Sequence, residues 1–413
     1  MTPMRTAYRF FRYTLGLLVL YALVSVIAEL KFLPGDFTQT SLPFHQVSTF
    51  AAALLDLVVV GGLLGSGIYA MRTPDQSVRR LRRFAVLLWS LLVILTVAAG
   101  ILNLLLAGSA LLAMLKVFVI ALVVGDIARH LHAWTPIPLV WTVGMVLSVI
   151  GTLIGLIPTH DFMLAVVLHT FASGVNTYIA YVLAAVALVF WLIPRFSNMT
   201  PLRAGRSLNT VAGLLALAGG LIMLSGLGLS DSWFGSLSAL LVPLIYLIFA
   251  AHIYRAFSNH NPTNTPAAHW MALGVLLLLL SVGMLGSVQA AIHLWTMGTR
   301  LSDLQPTLAL LAIVAIILGM LSQVVAEMQD QNHRVIGLAP FWFVAFGSVG
   351  GALTLAGAGL VQVYLERILS IGYLNTQALI EPLYKLWVLG GVLLALGVML
   401  YTLIFWLRRL HPH

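Results

Sequence analysis

Cysteine is absent from the 413 residues of this chain. Its absence excludes disulfides, thiolate-bound zinc, iron–sulfur clusters and cysteine-attached c-type heme. Any metal or heme would need histidine, carboxylate or methionine ligands. Charge is scarce as well. Asp, Glu, Lys and Arg make up 8% of the chain, where a soluble domain carries about a quarter. Hydrophobic residues make up 61%, so the chain reads as an all-α, polytopic membrane protein. Long polar tracts, low-complexity segments and a convincing inverted repeat are missing too. The longest polar stretch, SNHNPTNTPAAH at 258–269, holds turn residues throughout and connects two helices. The whole of 1–413 is therefore one integral membrane domain, with no soluble domain attached.

A bilayer core of about 30 Å needs about 20 apolar residues per helix. Twelve stretches meet that length, at 13–31, 45–71, 84–106, 109–128, 137–157, 162–193, 207–229, 235–254, 267–294, 305–326, 337–364 and 380–407. They predict a twelve-transmembrane-helix bundle. The sixth, ninth, eleventh and twelfth are long enough to tilt or project. Only LLAGSALL separates the third from the fourth, which predicts a tight turn. The basic start MTPMRTAYRFFRY leads into the first stretch with no small-residue cleavage site after it, so it reads as a retained helix.

Basic residues then set the orientation. With the N-terminus inside, sixteen Lys or Arg residues fall in cytoplasmic segments, among them MRTPDQSVRRLRR and PRFSNMTPLRAGR. The opposite loops hold three: Lys31, Arg300 and Arg367. That bias predicts that both termini are cytoplasmic, and the expected setting is a bacterial or archaeal inner membrane. The net charge of +9 then reflects topology and contact with anionic lipid rather than nucleic acid.

Ionisable residues inside a span are costly and are functional candidates. Asp56 in the second span and Lys116 in the fourth stand out. A buried pair that pins two helices is the plain reading; a proton or ion path is the sharper one. Gln289, Gln323 and Gln362 read as interhelical hydrogen-bonding residues, and the glycines of SGLGLS and FGSVGGAL as close helix packing. Of the twelve histidines, most sit at span ends or in connections. His45 and His160 lie at the boundary opposite the termini, and His169 and His293 reach further in. None of the spans pairs histidines at i, i+3 or i, i+4, so no metal site is indicated. The sequence shows no catalytic triad, phosphate-cradling loop or paired-carboxylate site.

Several segments, in order, resemble subunit I of the heme–copper oxygen reductases, above all the C-type enzymes and the large subunit of nitric oxide reductase. AELKFLPGDFTQTSLPFHQVSTF runs from the first span into a second that begins near His45. The resemblance implies a low-spin heme ligand at that position. GVNTYIAYVLAAVALVFWLIPRFSNMTPLRAGRSLN looks like the family's sixth helix and its aromatic–Pro–basic exit. SVGMLGSVQAAIHLWTMGTRLSDLQPTLALLAI has the rhythm of its ninth and tenth helices. Twelve helices with cytoplasmic termini are that family's minimal core.

The departures follow the chemistry. The family carries six ligand histidines, two on a low-spin heme, one on a high-spin heme and three on copper. Under this alignment Val175 stands where a copper ligand precedes Asn176. The copper pair's loop reads LIMLSGLGLSDSW, and Leu308 and Leu310 occupy the H-x-H of the tenth helix. The seventh and tenth spans contain no histidine at all, so a shift of register does not restore the set.

Reduction of oxygen or nitric oxide needs a redox metal with an open position. The resemblance therefore implies a non-catalytic accessory or structural subunit of a respiratory or nitrogen-oxide complex, paired with another membrane subunit and holding no cofactor. Two alternatives stay open. One is an electron-transfer or nitric-oxide-responsive protein with one heme b on His45, its second ligand coming from His160, His169, His293 or a methionine. The other is a transporter that uses the vacated cofactor cavity. If the cavities are closed by bulky side chains, Leu308, Leu310, Phe190, Trp191 and Trp295 are the expected fillers.

Overall fold

The computed structural model describes residues 3–33, 43–71, 79–102, 105–130, 135–196, 201–225, 233–258, 265–296, 298–328 and 338–407. Helices α1 (Pro3–Leu30), α2 (Phe44–Ala70), α3 (Arg79–Ile101), α4 (Leu105–His130) and α5 (Pro136–Gly155) each form one crossing. The sixth crossing is α6 (Phe162–Gly174), a π-helical segment Val175–Ala180, and α7 (Tyr181–Phe196) in one run. Helices α8 (Pro201–Leu224) and α9 (Trp233–Ser258) follow. The ninth crossing joins α10 (Thr265–Leu278), a second π segment Leu279–Leu285, and α11 (Gly286–Thr296). Helices α12 (Arg300–Met328), α13 (Leu338–Val363) with a terminal π segment Tyr364–Ile368, and α14 (Tyr373–Leu407) complete the bundle. Twelve helical runs are long and apolar enough to cross a membrane, and no strand occurs among the described residues. In hydrocarbon every backbone N–H and C=O must be satisfied within its own segment, which is why so apolar a chain forms helices throughout.

The ends of the helices differ from the hydropathy reading in two places. Helix α1 starts well before 13, because Arg5, Arg9 and Arg12 ride on a helical extension that an apolar window leaves out. LLAGSALL belongs to α4, which starts at Leu105, and α3 ends at Ile101. Glycine and serine are tolerated in a membrane helix, so their presence there did not mark a turn.

Helix α2 lies at the centre, with every residue from Leu57 to Tyr69 buried. Each glycine of its GGLLGSG run meets a bulky side chain of another helix. Trp89 of α3 sits 2.5 Å from where a Cβ of Gly61 would be, and Ile317 of α12 crowds Gly62 in the same way. Phe10 and Phe11 of α1 abut Gly65, and the indole of Trp141 on α5 fills the place of a Gly67 side chain. Close backbone approach at small residues is the usual basis of helix association in lipid. The FGSVGGAL glycines act likewise, Gly347 and Gly351 of α13 packing on Gly390 of α14. SGLGLS, apart from Ser225, lies outside the described residues.

Polar contacts close the end of the bundle that carries the termini. Arg82 of α3 and Asp126 of α4 form a buried ion pair at 2.7 Å, with side chains 7% and 6% exposed. Arg82, counted above with the loop charges, is thus a helix-pinning residue. Tyr69 of α2 and Arg195 of α7 both bond Glu327 of α12, and Arg195 stacks on Trp191.

Candidate functional site

At the opposite end the helices part around a cavity of about 770 Å³, within the range of small-molecule sites. Its walls are the second half of α1, the first halves of α2 and α4, the end of α5, the sixth crossing around its π segment, the start of α12 and the middles of α13 and α14. Six ionisable side chains line it: Glu29, Asp56, Lys116, His169, Arg300 and Asp303. Helices α1, α2 and α4 and the sixth crossing present one such group each, and α12 presents two.

Asp56 and Lys116 meet across the cavity wall. Lys116 Nζ lies 2.9 Å from Asp56 Oδ2, and the hydroxyl of Tyr181 donates to Asp56 Oδ1 at 2.7 Å. The lysine side chain is 12% exposed and the aspartate 30%. Tyr181 follows directly on the π segment. The wider turn of that segment places Asn176 and Thr177 on the cavity wall one turn before Tyr181 reaches Asp56. π segments of this kind often mark functional positions.

Arg300 organises the mouth. Its Nε donates to Tyr384 on α14 at 3.2 Å, and its guanidinium lies 4.0 Å from the ring centre of Phe32. Its backbone N–H donates to Gln362 Oε1 on α13 at 3.2 Å, and Asp303 stands 3.6 Å from its Nη1. Gln289 Nε2 donates to the Leu301 carbonyl, so Gln289 and Gln362 do link helices. Gln323 instead donates along its own helix to Glu327.

Glu29 was not singled out from the sequence, although it lies inside the first span. It is 7% exposed and lines the cavity. Ser25 donates to its Oε1 at 3.3 Å, while Oε2 is buried without a hydrogen-bond partner. Oε2 occupies the space that a side chain at Gly391 would take, so this glycine on α14 leaves room for the carboxyl. A signal was present. Tyr21, Ser25 and Glu29 recur at i, i+4 and i+8, a polar stripe on one face of an apolar helix.

His45 sits exposed in the first turn of α2, its carbonyl accepting from Ser48 and Thr49. Its neighbours Phe44 and Ser48 line the cavity, and His45 is not among the lining residues. His160 is exposed in the connection before α6, and the side chain of His293 lies outside the described residues. Leu308 and Leu310 both line the cavity. The proposed aromatic fillers do not. Phe190 is buried against His252, Trp191 donates to the Ala70 carbonyl at the other end of the bundle, and Trp295 is 49% exposed. The expectation that these side chains close the cavity is corrected by their positions: α7 carries its aromatics past the cavity, toward the termini.

The fit of a heme is decided by the donor set. A bis-imidazole heme needs two histidines facing each other across the ring. The described lining residues supply one imidazole, His169, and no methionine. No group of three or more His, Asp or Glu side chains able to hold a metal ion occurs among the described residues. The cavity as built does not match a six-coordinate heme.

Fold and site together define a polytopic α-helical membrane protein with a polar, ligand-sized cavity in one half of the bundle. No family model matches the chain. It is similar to a nitric oxide reductase subunit from Stutzerimonas stutzeri, 25% identical over 189 residues. The matched stretch is 42% of this chain, and the chain covers 40% of that relative's length. The likeness is distant, and it falls on the kind of protein that the sequence segments resemble.

Proposed function

We propose that this chain is a heme–copper-oxidase-like membrane protein that works without a redox metal centre, as a non-catalytic accessory subunit of a respiratory or nitrogen-oxide complex. One observation carries the reading. Leu308 and Leu310, which stand where the resemblance places one histidine for each heme, form part of the cavity wall. Leucine offers no lone pair to iron, and neither α8 nor α12 contains a histidine to take its place. Reductive chemistry on a bound gas requires an open metal position. The similarity to a nitric oxide reductase subunit supports a membrane partner of related type.

A transporter is the second reading, favoured by the cavity's six ionisable side chains. Intramembrane charges that face a cavity mark substrate and ion paths.

The test is a reduced-minus-oxidised absorption spectrum on detergent-purified protein, with heme extraction, metal analysis and identification of co-purifying chains on the same sample. The accessory reading expects no stoichiometric heme or copper, and oxidase or reductase subunits in the eluate. About one b-type heme per chain, lost in His45→Ala, would overturn it in favour of an electron-transfer or nitric-oxide-responsive protein. A metal-free chain that purifies alone would leave the transporter.

A further inference from the structure

The charges in the cavity do not cancel. Asp56 is matched by Lys116 at 2.9 Å and Asp303 by Arg300 at 3.6 Å. Glu29 has no cation within ion-pair distance among the described residues, and its Oε2 has no hydrogen-bond partner although the residue is 93% buried, being 7% exposed. An isolated buried carboxylate is expensive and calls for a counter-charge or a proton. The surroundings of Glu29 suit an organic cation better than a bare metal ion. No group of three or more His, Asp or Glu side chains able to hold a metal stands among the described residues, and Tyr21, Phe32, Phe44 and Trp387 bring aromatic walls to the same cavity. Aromatic faces and a carboxylate together recognise ammonium groups on apolar bodies. The face of Phe32 is taken by Arg300, which leaves Tyr21, on the same face of α1 as Glu29, and Trp387, one turn before Gly391, as aromatic walls of the site.

We propose that the cavity binds a small organic cation, an ammonium group carried on an apolar body, with Glu29 as its counter-charge. The ammonium donates to Oε2 of Glu29. The apolar body lies toward Leu55, Leu308 and Leu394, which line the same space. Gly391 is the positioning residue, because any side chain there displaces the carboxyl.

The experiment is isothermal titration of the full chain in detergent with benzylammonium, and with benzyl alcohol as its uncharged counterpart. A charge-assisted hydrogen bond in a buried site contributes about 1.5–3 kcal/mol, so the ammonium is expected to bind at one site per chain at least about tenfold more tightly than the alcohol. Glu29→Gln is expected to bring the two affinities together, while Glu381→Gln, a carboxylate on α14 outside the cavity lining, keeps the preference. No preference in the wild type, or a preference that survives Glu29→Gln, overturns the proposal. The first outcome is also what a permanently protonated Glu29 gives. If Glu29→Gln is recovered only as aggregate, Glu29→Asp decides the question. Withdrawing the carboxyl by one methylene is expected to weaken the ammonium several-fold and leave the alcohol unchanged, and an unchanged ammonium affinity overturns the site. A heme spectrum or co-purifying subunits leave this result unaffected, so it is separable from the accessory role.

Discussion

Two ion pairs of the same chemistry stand at opposite ends of the bundle, and their surroundings separate their energies. Arg82 and Asp126 are almost wholly buried. Removing one partner of a buried ion pair costs about 3–5 kcal/mol, so Arg82→Met is expected to lower detergent stability steeply in a thermal aggregation assay. Asp56 is 30% exposed and holds Tyr181 as well as Lys116. Lys116→Met therefore leaves a carboxylate that still has a donor and some solvent, at a cost of about 1–3 kcal/mol. A melt in which Lys116→Met is the more damaging of the two would contradict this ordering. The Asp56–Lys116 contact was legible in the sequence, because two lone opposite charges in apolar spans have few other partners. The Arg82 pair was not. Five arginines between 72 and 83 read as one loop, and nothing in their spacing shows that the fourth turns inward. Glu29 was hidden in another way: it lies two residues from Lys31 at the end of the first span, where position alone does not separate a buried carboxyl from a solvated one.

Helices were legible as elements because an apolar run of membrane length has no other way to satisfy its backbone. Which faces meet was legible only where small residues cluster. The glycine run of α2 carries a direct test. Gly67→Ala pushes a methyl into the indole of Trp141, and overpacking of this kind costs about 1–3 kcal/mol. Gly350→Ala on α13 meets nothing within 4 Å and is expected to change stability by less than about 0.5 kcal/mol. Equal melting temperatures for the two variants would mean that α2 is not seated against α5 as described. The π segments described above left no trace in the sequence. A π turn differs from an α turn by one residue, and hydropathy in a span that is apolar on most sides has no phase to slip.

At the scale of the whole molecule, an even number of crossings puts both termini on one side of the membrane. With the basic residues concentrated there, the expectation is that a C-terminal alkaline phosphatase fusion is inactive in a bacterial host. A fusion inserted at 370, between α13 and α14, is expected to be active. The reverse pattern would invert the bundle and place the cavity mouth in the cytoplasm. Helix count and the membrane setting could be read from hydropathy, but the cavity could not. Its volume depends on how far eight helical segments stand apart, and single side chains proved a poor guide to that. Phe190 and Trp191 have the bulk to fill it, yet the helix that carries them directs them toward the other end.

The π segment of the sixth crossing gives that crossing one place where its length can change without turning its faces. An α-helix advances about 100° and about 1.5 Å per residue, so a one-residue deletion in an unbroken helix rotates everything before it by about 100°. Deleting one residue from 175–180 instead narrows the π turn to an α turn and leaves α6 nearly in phase with α7. Tyr181 keeps its seat on Asp56, and His169 keeps its place on the cavity wall. Chains of this type that differ by a single residue between Asp161 and Tyr181 are expected to present the same lining to whatever enters, the difference being taken up in that one turn.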